Sequence, residues 1–469
     1  MNYTTKGKQL NSRNYKIAKS VAVLAFWFII WHILAVIVGN SLLLPTLPET
    51  VIALGTLVKK QSFYMDVCWT LFRCILSIVL SFGFGICLAW AAYKKELIKD
   101  LLTLPVSFFK AVPVMAIVIY VILLVKSDWV AVVACFLMCF PIAYTNILSG
   151  LAETSKELLE VASVYKFSKV DIVKLIYIPS VMPHFNAAMK IVAGLSWKAV
   201  VAAEVLSVPE FSLGQGMISA KYYLETPTLF AYIIVIVALS LAMEKTIVLA
   251  TSKLTIKNYD GSKVKAGKHT NGEKVSAPRI NVKKVNKAFG DKKVLVDINA
   301  TFEAESKTAI VGSSGKGKTT MARLLAGLEL PDGGEINFSE APKISYLFQE
   351  DRLFPWLNVY DNMALGMKNL DDEAIINIAQ NLEIEESLYK MPEELSGGMK
   401  HRVALGRTFL ADSNLMILDE PFRGLDQDLK ECIVDRLWEK MVSDKTVIVI
   451  THSREDIELL GINESIYVE

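Results

Sequence analysis

The string GSSGKGKTT (312–320) follows the apolar run KTAIV and precedes MARLLAGL, so a buried strand, a glycine-rich loop and a helix start succeed one another. Glycines at 312, 315 and 317 let successive backbone N–H groups point into one concavity. The N-terminus of the following helix adds a potential that favours phosphate. Lys318 is placed to reach β- and γ-phosphates, and Thr319 offers a hydroxyl to magnesium. Ser313, Ser314, Lys316 and Thr320 complete the expected binding set of this loop. Further along, LMILDEP (415–421) is an apolar strand ending in two acids. Asp419 at its tip can hold magnesium and Glu420 can polarise an attacking water, the division of labour that phosphoryl transfer requires. Alone, such a pair is more often a solvated strand end; behind a phosphate loop it reads as the acidic half of a site that hydrolyses a nucleoside triphosphate.

The elements that must position these residues fall into two halves. Hydrophobic residues make up 53% of the 469-residue chain and the mean hydropathy is +0.39, more than an ordinary soluble protein carries. The excess lies between about residues 19 and 250, whereas from Arg279 onward charged and apolar residues alternate as in a soluble α/β domain. The expected organisation is a polytopic α-helical membrane domain over 1–250, a lysine-rich, glycine-dotted flexible linker over 251–278, and an α/β phosphate-loop domain over 279–469.

A transmembrane helix needs about 20 mainly apolar residues. Six stretches qualify: 21–38, 67–93, 106–125, 129–148, 187–206 and 229–250, the fifth interrupted by Lys190 and Lys198. The first is long for a cleavable signal, and GNSLLLPTLPET after it lacks a cleavage pattern. Lysine and arginine bias sets orientation. Basic residues cluster before the first span, after the second (Lys94, Lys95, Lys99), and between the fourth and fifth (Lys156, Lys166, Lys169, Lys174), so both termini are expected in the cytoplasm. A net charge of +2 gives no argument for nucleic acid. The six cysteines form no CxxC pair and read as small core residues. Arg73, Lys198 and Glu204 fall within or at the ends of apolar spans, where they either line a substrate path or snorkel and pair within the bundle.

On these strings the soluble half resembles the ATP-binding cassette family. LSGGMKHR (395–402) looks like that family's signature motif, YLFQEDRLFPWLNV its glutamine loop through Gln349, FRGLD its aspartate loop through Asp426, and VIVITHS its switch histidine through His452. Phe289 in KAFGDKKVL matches the aromatic that stacks on adenine, with a plain core residue as the alternative; His452 keeps the alternative of a satisfied strand-end histidine. The resemblance implies that Gln349 and His452 join Glu420 in catalysis and that Gln349 joins Thr319 and Asp419 at the metal. It also implies that Ser396, Gly397, Gly398 and Asp426 complete the ATP site of a second cassette, so a second copy of the chain or a related half is needed. Three positions depart from the usual pattern: Lys316 inside the loop, Met399 for glutamine, and Arg423-Gly424 where small residues are more common.

The membrane half resembles importer permeases. ETSKELLEVASVYKFSKVDIVKLIYIPSVMPHF looks like their cytoplasmic coupling loop, with Glu160-Val161-Ala162 in place of Glu-Ala-Ala and Ile178-Pro179 closing the motif; the plainer alternative is an amphipathic cytoplasmic helix. Lys166 stands where that family usually has glycine, which puts the turn geometry in question. LPTLPET, AGLSWKAVVAAEVL and FQEDRLFPW are similar to the nitrate, sulfonate and taurine group. The resemblance implies a fused permease and ATPase half of an importer in the bacterial cytoplasmic membrane. It would bind ATP and Mg2+ and work with lipid and an extracytoplasmic solute-binding protein. Two alternatives stand beside it. A half-exporter would need long cytoplasmic helical extensions, for which residues 93–106 leave no room. A membrane-anchored ATPase that transmits force without moving solute would lack a substrate-dependent ATPase rate.

Overall fold

The computed structural model describes residues 3–253, 276–313 and 315–468; Ser314 and most of the expected linker lie outside them. The chain divides into two compact units, 1–153 with 181–255, and 154–180 with 256–469.

Eleven helices precede the first strand among the described residues: α1 (Tyr3–Val38), α2 (Leu47–Val58), α3 (Gln61–Lys94), α4 (Glu96–Ala111), α5 (Val114–Ile122), α6 (Ser127–Ala152), α7 (Lys156–Val164), α8 (Lys169–Ile172), α9 (Ile178–Ser207), α10 (Leu213–Tyr222) and α11 (Thr226–Lys253). The first unit is thus built of helices in its described part; they cover five of the six stretches expected to cross a membrane and only part of the other, 106–125. Three of them, α3, α6 and α11, are long and apolar enough to do so, and a fourth crossing is available if α4 and α5 count as one. That pair corrects the expectation of a continuous span over 106–125, because the two helices meet at 104°. Pro113 is the cause. The residue before a proline is pushed out of the helical region, and Val112 accordingly sits at φ −72°, ψ 130°.

The core of this unit forms where α3 and α6 lie side by side. Gly85 permits the approach: a Cβ there would come within 3.0 Å of the Ala143 side chain. The ionisable residues flagged in the spans sort differently. Arg73 and Glu204 are both buried and pair with each other at 3.0 Å. Glu204 also accepts from Thr70 (3.0 Å), while the remaining Arg73 donors reach the carbonyls of Asp128, Glu210 and Phe211. Their role within the bundle is therefore mutual pairing. Lys198, by contrast, is exposed on α9. Removing one partner strands a buried charge, so Arg73→Met is expected to cost about 3–5 kcal/mol, with much of it recovered when Glu204→Gln is added. Thermal unfolding of the two variants in one detergent checks this. Cys74, Cys135 and Cys139 are buried as expected, but Cys68 and Cys87 are exposed on α3.

The second unit carries two sheets. β1 (Ile280–Phe289), β2 (Lys292–Phe302) and β4 (Gly333–Phe338) form an antiparallel sheet in the order β2-β1-β4. β3 (Lys307–Val311), β5 (Ile344–Leu347), β6 (Leu415–Asp419), β7 (Thr446–Ile450) and β8 (Glu464–Tyr467) form a parallel sheet in the order β5-β6-β7-β3-β8. β6 and β7 are buried at every position, which is why they read as unbroken apolar runs, LMILD and TVIVI, without alternation. The remaining helices are α12 (Lys318–Leu325), α13 (Val359–Ala364), α14 (Asp372–Asn381), α15 (Gly397–Leu410), α16 (Gln427–Ile433), α17 (Glu439–Val442) and α18 (Arg454–Leu459). α13, α14 and α15 pack on one another through Met363, Ile375, Ile378 and Val403, giving a helical subdomain around the LSGGMKHR segment.

Candidate active site

Because β3, β6 and β7 are parallel neighbours, the loops that leave their carboxyl ends open onto one edge of the sheet, the usual place for a ligand in such a fold. A cleft of about 360 Å³ lies there, lined by Phe289, Val294, Gly315, Gly317, Lys318, Thr319, Thr320, Gln349, Asp419, Glu420 and Ile450.

The loop conformation demands its glycines. Gly317 caps α12 at φ +95°, and a Cβ on it would also strike Leu295 at 2.7 Å. A Cβ on Gly312 would lie 2.4 Å from the Val468 carbonyl oxygen. Lys318 folds its ammonium back over the loop, donating to the carbonyls of Gly312 (2.7 Å) and Ser313 (2.9 Å). Thr319 donates its hydroxyl to Asp419 Oδ2 at 2.9 Å. Asp419 is buried at the end of β6, and burial pushes its carboxyl up to about 6 against the opposing pull of the Thr319 hydrogen bond. A hydroxyl, a carboxylate and the Gln349 amide are hard oxygen donors, the set a magnesium ion takes.

Glu420 stands in the left-handed region at φ +54°, a conformation that costs on the order of 1–3 kcal/mol for a residue with a side chain. Its N–H is tied to the Ile450 carbonyl at 2.8 Å, and its carboxylate meets His452 Nδ1 at 3.1 Å. His452 is otherwise open to solvent, and Phe289 is 49% exposed beside the cleft and therefore no core residue. Lys316 is exposed on the loop.

Ser396, Gly397, Gly398 and Asp426 lie outside this cleft. Ser396 caps α15 by accepting from the Met399 N–H (3.3 Å), and Asp426 caps α16 by accepting from Leu429 (2.9 Å). Ser396, Gly397 and Asp426 are exposed. A Cβ on Gly398 would lie 3.7 Å from the Gly424 carbonyl oxygen, so the start of α15 sits beside the FRGLD loop.

Sequence reasoning missed the groups that hold the Gln349 loop. Asp351, two residues on, meets His401 Nδ1 at 3.1 Å and accepts from Arg423 (3.3 Å), while His401 Nε2 lies 2.9 Å from the Pro421 carbonyl oxygen. Arg407, fully buried on α15, donates to the carbonyls of Asp351 (3.1 Å) and Arg352 (3.0 Å). Burial holds its pKa below the usual arginine value. A basic residue inside a helix gives no sign in sequence that it will be swallowed whole. The one cue was Arg407 interrupting an otherwise apolar run, VALGRTFL.

The segment expected to couple the two halves belongs to the second unit and packs there. Ser155 caps α7, and Val161 and Ala162 are buried in a cluster with Tyr346, Phe348 and Phe354. α7 ends with Phe167 N–H on the Ala162 carbonyl (2.9 Å) and Lys166 N–H on that of Ser163 (3.1 Å). Such an end requires a left-handed residue, and Lys166 supplies it at φ +49° although it is not glycine. Its ammonium donates to the Pro342 carbonyl (3.2 Å). α8 runs into α9 through a π-helical turn at Val173–Tyr177, and Pro179 lies just after that turn, within a continuous helix.

Glu160 receives two parallel hydrogen bonds from Arg323 of α12 (2.7 and 2.9 Å) and one from Arg352 (2.5 Å). Arg352 in turn stacks over Phe348, 4.1 Å from its ring centre. The Arg323 hydrogen bonds, opposed by burial and helped by Arg352, hold the Glu160 carboxyl below the ordinary carboxylate range. The stability this contributes is therefore fully present above the ordinary carboxylate range and is lost progressively as the pH falls from there through the lowered value.

Comparison with known proteins separates the two halves. Residues 295–423 match the ABC transporter family, and residues 81–244 match the binding-protein-dependent transport system inner membrane component family. Over 39% of the chain there is 37% identity to the aliphatic sulfonates import ATP-binding protein SsuB 1 of Paracoccus denitrificans, of which 77% is covered. The same share of the chain is 37% identical to the thiamine import ATP-binding protein ThiQ of Haemophilus influenzae, with 92% covered. It is 36% identical to the Fe(3+) ions import ATP-binding protein FbpC 2 of that organism, with 57% covered.

Proposed function

This chain belongs to the ABC transporter family, and from that premise we propose that it is a fused permease and ATPase half of an importer that draws a small solute across the bacterial cytoplasmic membrane. In this reading the permease occupies 1–250, the linker 251–278 and the cassette 279–469, with both termini in the cytoplasm by the lysine bias. Two cassettes close on two ATP molecules, each chain lending Ser396, Gly397, Gly398 and Asp426 to the other's site. That division of labour is supported by the exposure of Ser396, Gly397 and Asp426 outside the cleft of their own chain. An extracytoplasmic binding protein delivers the solute. We place the permease, though not its solute, in the nitrate, sulfonate and taurine group on the strings LPTLPET, AGLSWKAVVAAEVL and FQEDRLFPW.

Within the cleft, Lys318 leaves its loop carbonyls for the β- and γ-phosphates. Phe289 stacks on the adenine, Glu420 orients the attacking water, and His452 fixes the Glu420 carboxylate. Gln349 senses the γ-phosphate side. Thr319, Asp419 and Gln349 would hold magnesium, which neutralises charge on the phosphates when bound.

The observation that carries the importer reading is the seating of Glu160, which binds at once the helix that starts at the phosphate loop and the residue three positions after Gln349. Any change of that loop on binding ATP is thereby felt by α7. The test is ATP-driven uptake in proteoliposomes with ATP enclosed, and binding protein and radiolabelled solute outside. Loss of the Lys318 cation removes charge-assisted hydrogen bonds to phosphate. Lys318→Ala is accordingly expected to raise the ATP dissociation constant roughly 10- to 100-fold, read with a fluorescent nucleotide analogue. Unchanged affinity would move the site elsewhere.

A further inference from the structure

α4 carries three distinct faces. Leu97, Leu101, Leu104 and Phe108 recur at helical spacing and are 70, 66, 79 and 59% exposed. Val106 is buried, and Ile98, Leu102 and Phe109 are half-buried beside it; these turn toward α3 and α6. At 100° per residue the third face gathers Glu96, Lys99, Thr103, Ser107 and Lys110, with the exposed Asp100 between it and the apolar stripe. The outward apolar stripe therefore runs the length of the helix with a polar stripe alongside it.

Charge and the bend at Pro113 decide what covers that stripe, since length alone does not: α4 reaches about 24 Å, and α5 less, against a hydrocarbon core of roughly 30 Å. If α4 stood upright from Lys95, its far end would carry Lys110 deep into lipid, where a charge is costly. Laid flat, Lys95, Lys99 and Lys110 all stay level with phosphate headgroups while the leucines sink below them. The neighbouring end of α3 bears the marks of that level: Lys94 lies over the rings of Trp90 (5.1 Å) and Tyr93 (5.5 Å). Past Pro113 the chain turns by 104° into α5, which is apolar on every side.

We propose that α4 is an in-plane foot: it lies along the cytoplasmic surface of the bilayer, with Leu97, Leu101, Leu104 and Phe108 in the acyl boundary and its lysines on lipid phosphates. The foot fixes the depth at which α3 ends and α5 enters the membrane.

Spin labels on single cysteines test this in the full chain, with the accessible Cys68, Cys87 and Cys432 replaced by serine. Leu97→Cys, Leu101→Cys, Leu104→Cys, Phe108→Cys and Ser107→Cys are reconstituted separately into phosphatidylethanolamine–phosphatidylglycerol vesicles. Collision with oxygen and with a water-soluble nickel chelate then gives the depth of each label. The expected result is one shared shallow depth, about 5–10 Å below the phosphates, at the four stripe positions. Ser107 should stay open to the nickel chelate. Depth that grows by roughly 16 Å from residue 97 to residue 108 would make α4 part of a span and overturn the proposal. So would stripe labels shielded from both reagents and broadened by one another, which would mean that a second copy of the chain covers the stripe.

Discussion

Glu420→Gln is expected to bind ATP with near-native affinity yet hydrolyse it about 10²- to 10⁴-fold more slowly, the range a positioned general base supplies. The substitution keeps the size of the side chain and the contact with His452 but removes the charge proposed to polarise water. Lys318, Thr319 and the glycine loop, the groups proposed to hold the phosphates, are untouched. ATP should then persist between two closed cassettes. A stable dimer with ATP that falls apart with ADP would be seen by light scattering. The left-handed backbone at Glu420 sharpens the comparison: Glu420→Gly relieves the φ +54° strain while deleting the carboxylate. It should therefore gain thermal stability and lose turnover together. Near-native turnover in Glu420→Gln would remove Glu420 from the chemistry and leave His452 without its partner at 3.1 Å.

The division of the chain into a helical membrane half and an α/β half was legible because composition changes along it, and the phosphate loop because backbone geometry forces its glycines. Gly317 at φ +95° with no room for a Cβ is such a case. The central strands were legible for a related reason, since a strand buried on both faces must be apolar at every position, as LMILD and TVIVI are. The break between α4 and α5 was missed although its cause, Pro113, stood in the string. Hydropathy averaged over a window cannot see one backbone nitrogen without a hydrogen. Other features depend on what the fold brings near. Arg73 and Glu204 are 131 positions apart, and nothing local announces that they meet. Asp351 read only as part of a loop, yet His401, Arg407 and Arg423 all converge on it from α15 and the loop after β6. Lys166 shows the reverse. Sequence gave reason to question the turn, and the backbone keeps it by holding a lysine in the conformation that glycine prefers.

Glu160→Lys should separate hydrolysis from transport. The carboxylate sits 27% exposed between two guanidiniums, Arg323 on the helix that begins at the phosphate loop and Arg352 beside the Gln349 loop. Replacing it with an ammonium turns two attractions into two repulsions. Even with solvent screening at this partly exposed site, the reversal is expected to cost on the order of 1–3 kcal/mol. The penalty falls on seating α7 and leaves the nucleotide groups alone. Basal ATPase should survive, because Glu420, Lys318 and Thr319 keep every contact they have. Uptake into proteoliposomes, and the stimulation of ATPase by loaded binding protein, should each fall by about tenfold or more. A partial rescue would tie the loss to this ion cluster: adding Arg352→Glu restores one favourable pair, and a double-mutant cycle would read the coupling between the two positions. If uptake and its stimulation of ATPase both survive Glu160→Lys, then α7 does not transmit the cassette's motion, and the importer reading loses the contact on which it chiefly rests.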